Sequence, residues 1–187
     1  MTFIINPWKI LAEKSIYENP WIRVTEFDVV NPTGGKGIYG KVHYKKLAVG
    51  VLALDAERYT YLVGQYRFVL DLYSWEIPEG GAEPGEDPQA AAKRELLEET
   101  GLVAARWQQL LTMHLSNSVS DELAIIFLAT QLEQREATPD DTEDLSIKKV
   151  SFEEAYKMVS EGVITDSISV AAIQKVRLLL FEGCIKI

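Results

Sequence analysis

The stretch Trp75–Leu102, W-E-I-P-E-G-G-A-E-P-G-E-D-P-Q-A-A-A-K-R-E-L-L-E-E-T-G-L, decides how the rest of the chain is read. It begins as the end of a strand, passes through a glycine-rich loop and continues as a helix. Asp87 suits the N-cap, and Pro88 suits the first helical position, where its missing N–H is no loss. Ala90, Ala91, Ala92, Leu96 and Leu97 favour the helix interior. Gly101 suits the left-handed residue just past its end. On such a helix Glu95 shares a face with Glu98 and Glu99, while Ala92 and Leu96 point to a core. Like charges at this spacing each cost roughly 0.2–0.5 kcal/mol, and carboxylates in a last turn also oppose the helix dipole. A solvated acidic face relieves that cost. A hard divalent cation also relieves it, because it takes oxygen ligands, commonly one or two carboxylates plus substrate phosphates. Gly80, Gly81 and Gly85 let backbone approach such an ion.

The spacing G-x5-E-x7-R-E-L-x-E-E-x-G-L is filled by Gly80, Glu86, Arg94, Glu95, Leu96, Glu98, Glu99, Gly101 and Leu102. It resembles the Nudix box at every defined position. The resemblance implies a Nudix fold: α+β, an α/β/α sandwich with a mixed central sheet flanked by helices. It also implies Mg²⁺, with Mn²⁺ as a substitute, held by Glu95, Glu98, Glu99 and the backbone carbonyl of Glu79. Glu98 and Glu99 then act in catalysis. Arg94 ties the box together by pairing with a carboxylate such as Glu86.

Upstream, Lys9–Tyr17, Ile22–Val30 and Ile38–Tyr44 read as strands, with turn chemistry in N-P-T-G-G-K-G at 31–37. A small sheet with few helical partners needs something to pack on. The ADP-ribose and nucleoside diphosphate sugar branch of the Nudix family carries such an N-terminal antiparallel sheet and uses it in a homodimer. The chain is therefore divided into a β extension, 1–45, expected to dimerise, and a Nudix hydrolase domain, 46–187, with its box at 80–102.

Leu47–Leu54 and Tyr59–Gln65 read as strands, the first strongly apolar. Gln65-Tyr66-Arg67 resembles the segment that enters the active site in this branch. The planar fork of Arg67 suits phosphate, and Glu76 stands where relatives contact substrate. Arg106–Leu115 and Leu123–Gln131 are further strands. Between them, where the branch often has Ser-Pro-Gly, this chain has Ser116-Asn117-Ser118 without proline, then Asp121-Glu122. Glu122 matches an acidic residue near the metal or the terminal ribose. His114 receives no role.

The acidic run from Glu133 to Asp144 has no apolar periodicity and reads as a loop. In relatives a loop here supplies the base that activates water, and Asp140, Asp141 and Glu143 are the candidates. Ser151 caps a helix that ends before Gly162. Asp166 or Ser167 caps the last helix, with Val170, Ile173, Val176 and Leu180 apolar.

Composition sets bounds on function. A hydrophobic share of 47% supports a packed core, and 187 residues suit one domain with an extension. A net charge of −9 and a pI near 4.8 disfavour binding to nucleic acid or anionic membrane. One cysteine, Cys184, excludes an internal disulfide and suits a reducing compartment. The first residues do not read as a leader, so a cytoplasmic place is expected. The resemblance implies hydrolysis of a nucleoside diphosphate sugar such as ADP-ribose or GDP-mannose to a nucleoside monophosphate and a sugar phosphate. Nucleoside triphosphates or dinucleoside polyphosphates are the alternative substrates. A non-catalytic nucleotide-sugar-binding regulatory module is the alternative of another class.

Overall fold

The computed structural model describes residues 5–135 and 145–185. Contacts divide the chain into two units, one made of 1–46 with 116–122, the other of 47–115 with 123–187.

The first unit is an antiparallel sheet in the order β1 (Lys9–Glu18), β2 (Ile22–Val30), β3 (Lys36–Tyr44). Asn31 builds the β2–β3 turn, its Oδ1 accepting from the amides of Thr33 and Gly35. β1 is exposed along its whole length, and Ile10, Leu11, Ile16 and Tyr17 remain more than half exposed. The segment 116–122 joins this sheet through a parallel bridge between Val42 and Ser120.

The second unit centres on β4 (Leu47–Ala53) and β9 (Leu123–Gln134), which pair in parallel from Ala48 opposite Ala124 to Ala53 opposite Ala129. Around them the sheet runs β7 (Glu79–Ala82), β4, β9, β8 (Leu102–His114). A second sheet runs β10 (Ser146–Ser151), β5 (Tyr59–Arg67), β6 (Leu72–Glu76). Side chains alternate across a strand, and β4 uses both faces. Val49, Val51 and Ala53 pack with Ala91, Ala92 and Leu96 of helix α1 (Pro88–Thr100). Leu52 packs on the other side with α2 (Phe152–Ser160) and α3 (Ser167–Phe181) through Phe152, Met158, Ile168 and Ile173. β9 divides in the same way, Ile126 and Leu128 to one side, Phe127 and Ala129 to the other. This is a mixed sheet buried between helices, the α/β/α arrangement expected, and burial on both faces explains why β4 and the paired first half of β9, from Ala124 to Ala129, are apolar.

Three expectations change. Gly80 and Gly81 lie in a strand rather than a loop: β7 pairs with β4 from Leu47 opposite Ala82 to Gly50 opposite Glu79. β8 starts at Leu102, directly after the helix stop at Gly101 (φ 70°). The buried face of α3 also falls on Ile168, Ser169, Ala172, Ile173 and Val176, with Val170 and Leu180 only partly buried.

Candidate active site

α1 carries most of the site, and its ends form as the sequence requires. Asp87 has an extended backbone and accepts from the Ala90 amide at 2.9 Å, and Pro88 follows in the first turn. The Gly101 amide closes the other end on the Leu97 carbonyl at 2.9 Å. Ala91, Ala92, Leu96 and Glu99 face inward, so Glu95 and Glu98 flank the buried face rather than cover it.

Arg94 is the organiser. Its Nη1 donates to Glu95 at 2.8 Å and to Glu98 at 3.0 Å. Its Nη2 donates to the Gly81 carbonyl at 3.1 Å and to Glu86 at 3.3 Å. One guanidinium thus ties the loop carboxylate Glu86, strand β7 and the helix carboxylates together. The Glu86 bond, followed by those to Glu95 and Glu98, raises its affinity for its proton further.

Gly80 explains why β7 needs glycine. A Cβ there would lie 2.2 Å from the Glu95 carboxyl carbon, so the Glu95 carboxylate occupies the space a side chain would take. The close approach is that of a carboxylate to backbone.

Glu99 is 4% exposed and accepts from the Glu79 amide at 3.0 Å, fixing the end of α1 to the start of β7. Arg67, at the end of β5, donates to both oxygens of Glu76 and, at 2.9 Å, to Glu79 Oε1. Glu79 Oε2 is buried without a hydrogen-bond partner. Burial, then the charges of Asp166 and Glu76, hold the Glu79 carboxyl well above the usual carboxylate range, and Arg67 only partly offsets this.

The structure therefore gathers Arg67, Glu76, Glu79, Glu95, Glu98 and Glu99 in one unit. Glu122 belongs to the other unit, next to Asp121. Asp140, Asp141 and Glu143 lie outside the described residues. Sequence reasoning missed Asp166, which it read only as a cap. Asp166 does cap α3, accepting from the Ser169 amide at 2.7 Å, but its charge also acts on Arg67 and Glu79. No sequence signal places a cap 87 residues downstream beside Glu79; only the fold of α3 does. His43 was also passed over, and its Nδ1 lies 2.8 Å from Asp121.

The donors fit a hard cation. Glu95 and Glu98 already share one cationic nitrogen, and Glu79 offers a buried oxygen with nothing bound to it. Among the described residues no three His, Cys, Asp or Glu side chains close around one point as a ready-made cage.

The NUDIX domain family model matches residues 44–167. The chain belongs to the Nudix family. The model for the nucleoside diphosphate sugar hydrolase N-terminal domain matches residues 8–42 of this Nudix protein. Its relatives include an ADP-ribose pyrophosphatase of Bacillus subtilis, 33% identical over 91% of this chain and 92% of the relative. A methanol dehydrogenase activator of Bacillus methanolicus is 31% identical over the same shares of the two chains. An ADP-ribose pyrophosphatase of Mycobacterium tuberculosis is 33% identical over 78% of this chain and 72% of the relative. A solved structure described as an ADP compounds hydrolase superposes with a TM-score of 0.85 over 98% of this chain and all of its own, at 20% identity, which establishes the shared fold. The protein is thus a Nudix pyrophosphohydrolase, an enzyme of a family that generally works with divalent metals. No helix among the described residues is long and apolar enough to cross a membrane.

Proposed function

We propose that this enzyme hydrolyses the pyrophosphate of nucleoside diphosphate sugars, ADP-ribose foremost, to a nucleoside monophosphate and a sugar phosphate. The observation that carries the reading is the pairing of a complete Nudix site with an N-terminal sheet whose family model is that of nucleoside diphosphate sugar hydrolases. The names of the B. subtilis and M. tuberculosis relatives point the same way.

Glu95, Glu98, Glu99 and the backbone carbonyl of Glu79 would hold Mg²⁺, with Mn²⁺ as a substitute. Mg²⁺ when bound neutralises pyrophosphate charge and lowers the pKa of water. The remaining work belongs to the chain. Arg94 keeps Glu95 and Glu98 in register with β7. Arg67 offers a planar fork for a phosphate or distal sugar, with Glu76 and Glu79 holding that fork in place beforehand. Glu98 and Glu99 serve catalysis directly. Asp141 and Glu143, with Asp140, are the candidates for the base that takes the proton of the attacking water. Glu122 is the candidate for the acidic residue that relatives place near the metal or the terminal ribose.

We assign the N-terminal sheet to a homodimer interface, since β1 leaves Ile10, Leu11, Ile16 and Tyr17 more than half exposed. The one cysteine, Cys184, is exposed and unbridged, in keeping with a cytoplasmic place. The test is product release from a panel of ADP-ribose, GDP-mannose, nucleoside triphosphates and dinucleoside polyphosphates, with and without Mg²⁺. Nucleoside monophosphate released from the sugar diphosphates alone supports the reading. Preference for triphosphates refutes it.

A further inference from the structure

β6 ends at Glu76 in one sheet of its unit and β7 begins at Glu79 in the other, so only Ile77 and Pro78 carry the chain across. A crossover this short has no ladder of its own, and its buried amides and carbonyls need partners elsewhere. Neighbouring backbone groups are held by three different elements. The Pro78 carbonyl accepts from the Val51 amide of β4 at 2.8 Å. The Glu79 amide donates to Glu99 of α1 at 3.0 Å. The Ile77 amide donates to Ser169 Oγ of α3 at 2.9 Å, and both residues are 0% exposed.

The start of α3 sets Ser169 for this contact. The Ser169 amide donates to the Asp166 cap at 2.7 Å. Its neighbour Ile168 fills the place that a side chain on Gly50 would take, and Gly50 stands opposite Glu79 in the ladder between β4 and β7. The first turn of α3 is thus seated on the strand that pairs with β7. A serine inside a helix commonly turns its hydroxyl to solvent or to a carbonyl of the preceding turn, whereas the Ser169 oxygen accepts from another element. A buried hydroxyl is costly unless bonded, and the Ile77 amide supplies the bond.

The residues that flank the crossover hold Arg67. Both Glu76 oxygens accept from Arg67 Nε, at 2.9 Å and 3.1 Å, and Glu79 Oε1 accepts from Nη2 at 2.9 Å. Residues three apart on an extended chain point to opposite faces. Glu76 and Glu79 converge on one guanidinium because the chain bends between them, and Ser169 holds that bend. We propose that Ser169 is a positioning residue for Arg67: its hydroxyl fixes the Ile77 amide, the bend at Ile77 and Pro78 keeps its shape, and Glu76 and Glu79 keep the Arg67 fork aimed. The consequence for substrate rests on the phosphate-binding role given to Arg67 under the proposed function; the anchor itself does not.

The test uses the full chain in two independent arms, with wild type, Ser169→Ala, Ser169→Thr and Ala172→Gly. Ala172 is buried one turn further along α3, so its glycine variant loosens the helix without touching Ile77. The first arm is hydrogen exchange, read by NMR, at the Ile77 amide and at Arg67 Nε. Both are expected to exchange about tenfold faster in Ser169→Ala and near the wild-type rate in Ser169→Thr, which keeps the hydroxyl. The second arm is kinetics on ADP-ribose: in Ser169→Ala KM is expected to rise about tenfold with kcat within about a factor of two, and Ser169→Thr to recover most of the loss. Ala172→Gly is expected to lower the melting temperature and leave KM unchanged. Should Ser169→Ala fail to fold, Ser169→Cys keeps a weaker acceptor and is expected to shift both readouts the same way by a smaller factor. Unchanged exchange at Ile77 and Arg67 overturns the anchor. Raised exchange with unchanged KM, or an equal rise of KM in Ala172→Gly, overturns the positioning role. If wild type does not turn over ADP-ribose, the proposed function fails, and the exchange arm still decides the anchor.

Discussion

Two arginines hold five carboxylates in working order in this enzyme, and two more are held without them. Arg94 joins Glu86, Glu95 and Glu98, and Arg67 joins Glu76 and Glu79, while Glu99 is anchored by the Glu79 amide and Asp121 by β3. These groups do not titrate alike. Glu79 is pushed up by burial and by its acidic neighbours, whereas Asp121 is pulled down by Lys41 and His43. For Asp121 the folded value lies below the unfolded one, so its contribution to stability is present above about pH 4 and is lost as pH falls through the folded value. The melting temperature of Asp121→Asn is therefore expected to lie below that of wild type at neutral pH, and the margin is expected to shrink as pH falls below about 4. A margin that instead grows below about pH 4 would contradict the assignment. Arg94 was legible at this scale only through the resemblance, which implies that it pairs with a box carboxylate such as Glu86, as it does here. The hold of Glu76 and Glu79 on Arg67 was not: Arg67 and Glu79 lie twelve residues apart, on strands whose pairing the sequence does not state.

At the scale of elements, α1 and β7 form one device. The helix was legible because each end carries its own local chemistry, Asp87 and Pro88 at the start and Gly101 at the stop. β7 was not, since two glycines and a neighbouring proline resemble a turn, and only the ladder to β4 makes them a strand. Gly80 is where the two elements touch. A methyl group there would meet the Glu95 carboxylate at 2.2–2.4 Å, and that flexible end must yield rather than the backbone. Gly80→Ala is therefore expected to lower metal affinity and kcat/KM about 10–100-fold while the melting temperature shifts by no more than about 4 °C. Titration calorimetry with Mn²⁺ and a thermal melt check this. Collapse of the fold with metal affinity intact would show that the glycine serves packing instead. β4 and β9 were legible as apolar runs, but their division between α1 on one face and α2 and α3 on the other needs the parallel register between them.

At the scale of the whole molecule, the chain passes between the two units three times, after Lys46, Leu115 and Glu122. The sequence was divided at 45 on the resemblance of its first strands to an N-terminal sheet; the annexed segment 116–122 was not legible, because its partner strand lies more than seventy residues away. The exposed apolar side of β1 belongs to this scale. Ile16→Glu on that strand is expected to convert a dimer of twice 21.0 kDa into a monomer in sedimentation at micromolar concentration. A wild-type protein that sediments as a monomer would refute the dimer. In the proposed function the acidic helix is half of a metal-dependent site for nucleoside diphosphate sugars. The most direct measurement is the turnover of ADP-ribose with Mg²⁺ by wild type and by Glu98→Gln, both shown to be folded by circular dichroism. AMP and ribose phosphate from wild type, with kcat lower by at least about 10³-fold in the variant, is the predicted result. Equal turnover by the two proteins, or none by wild type, would contradict it.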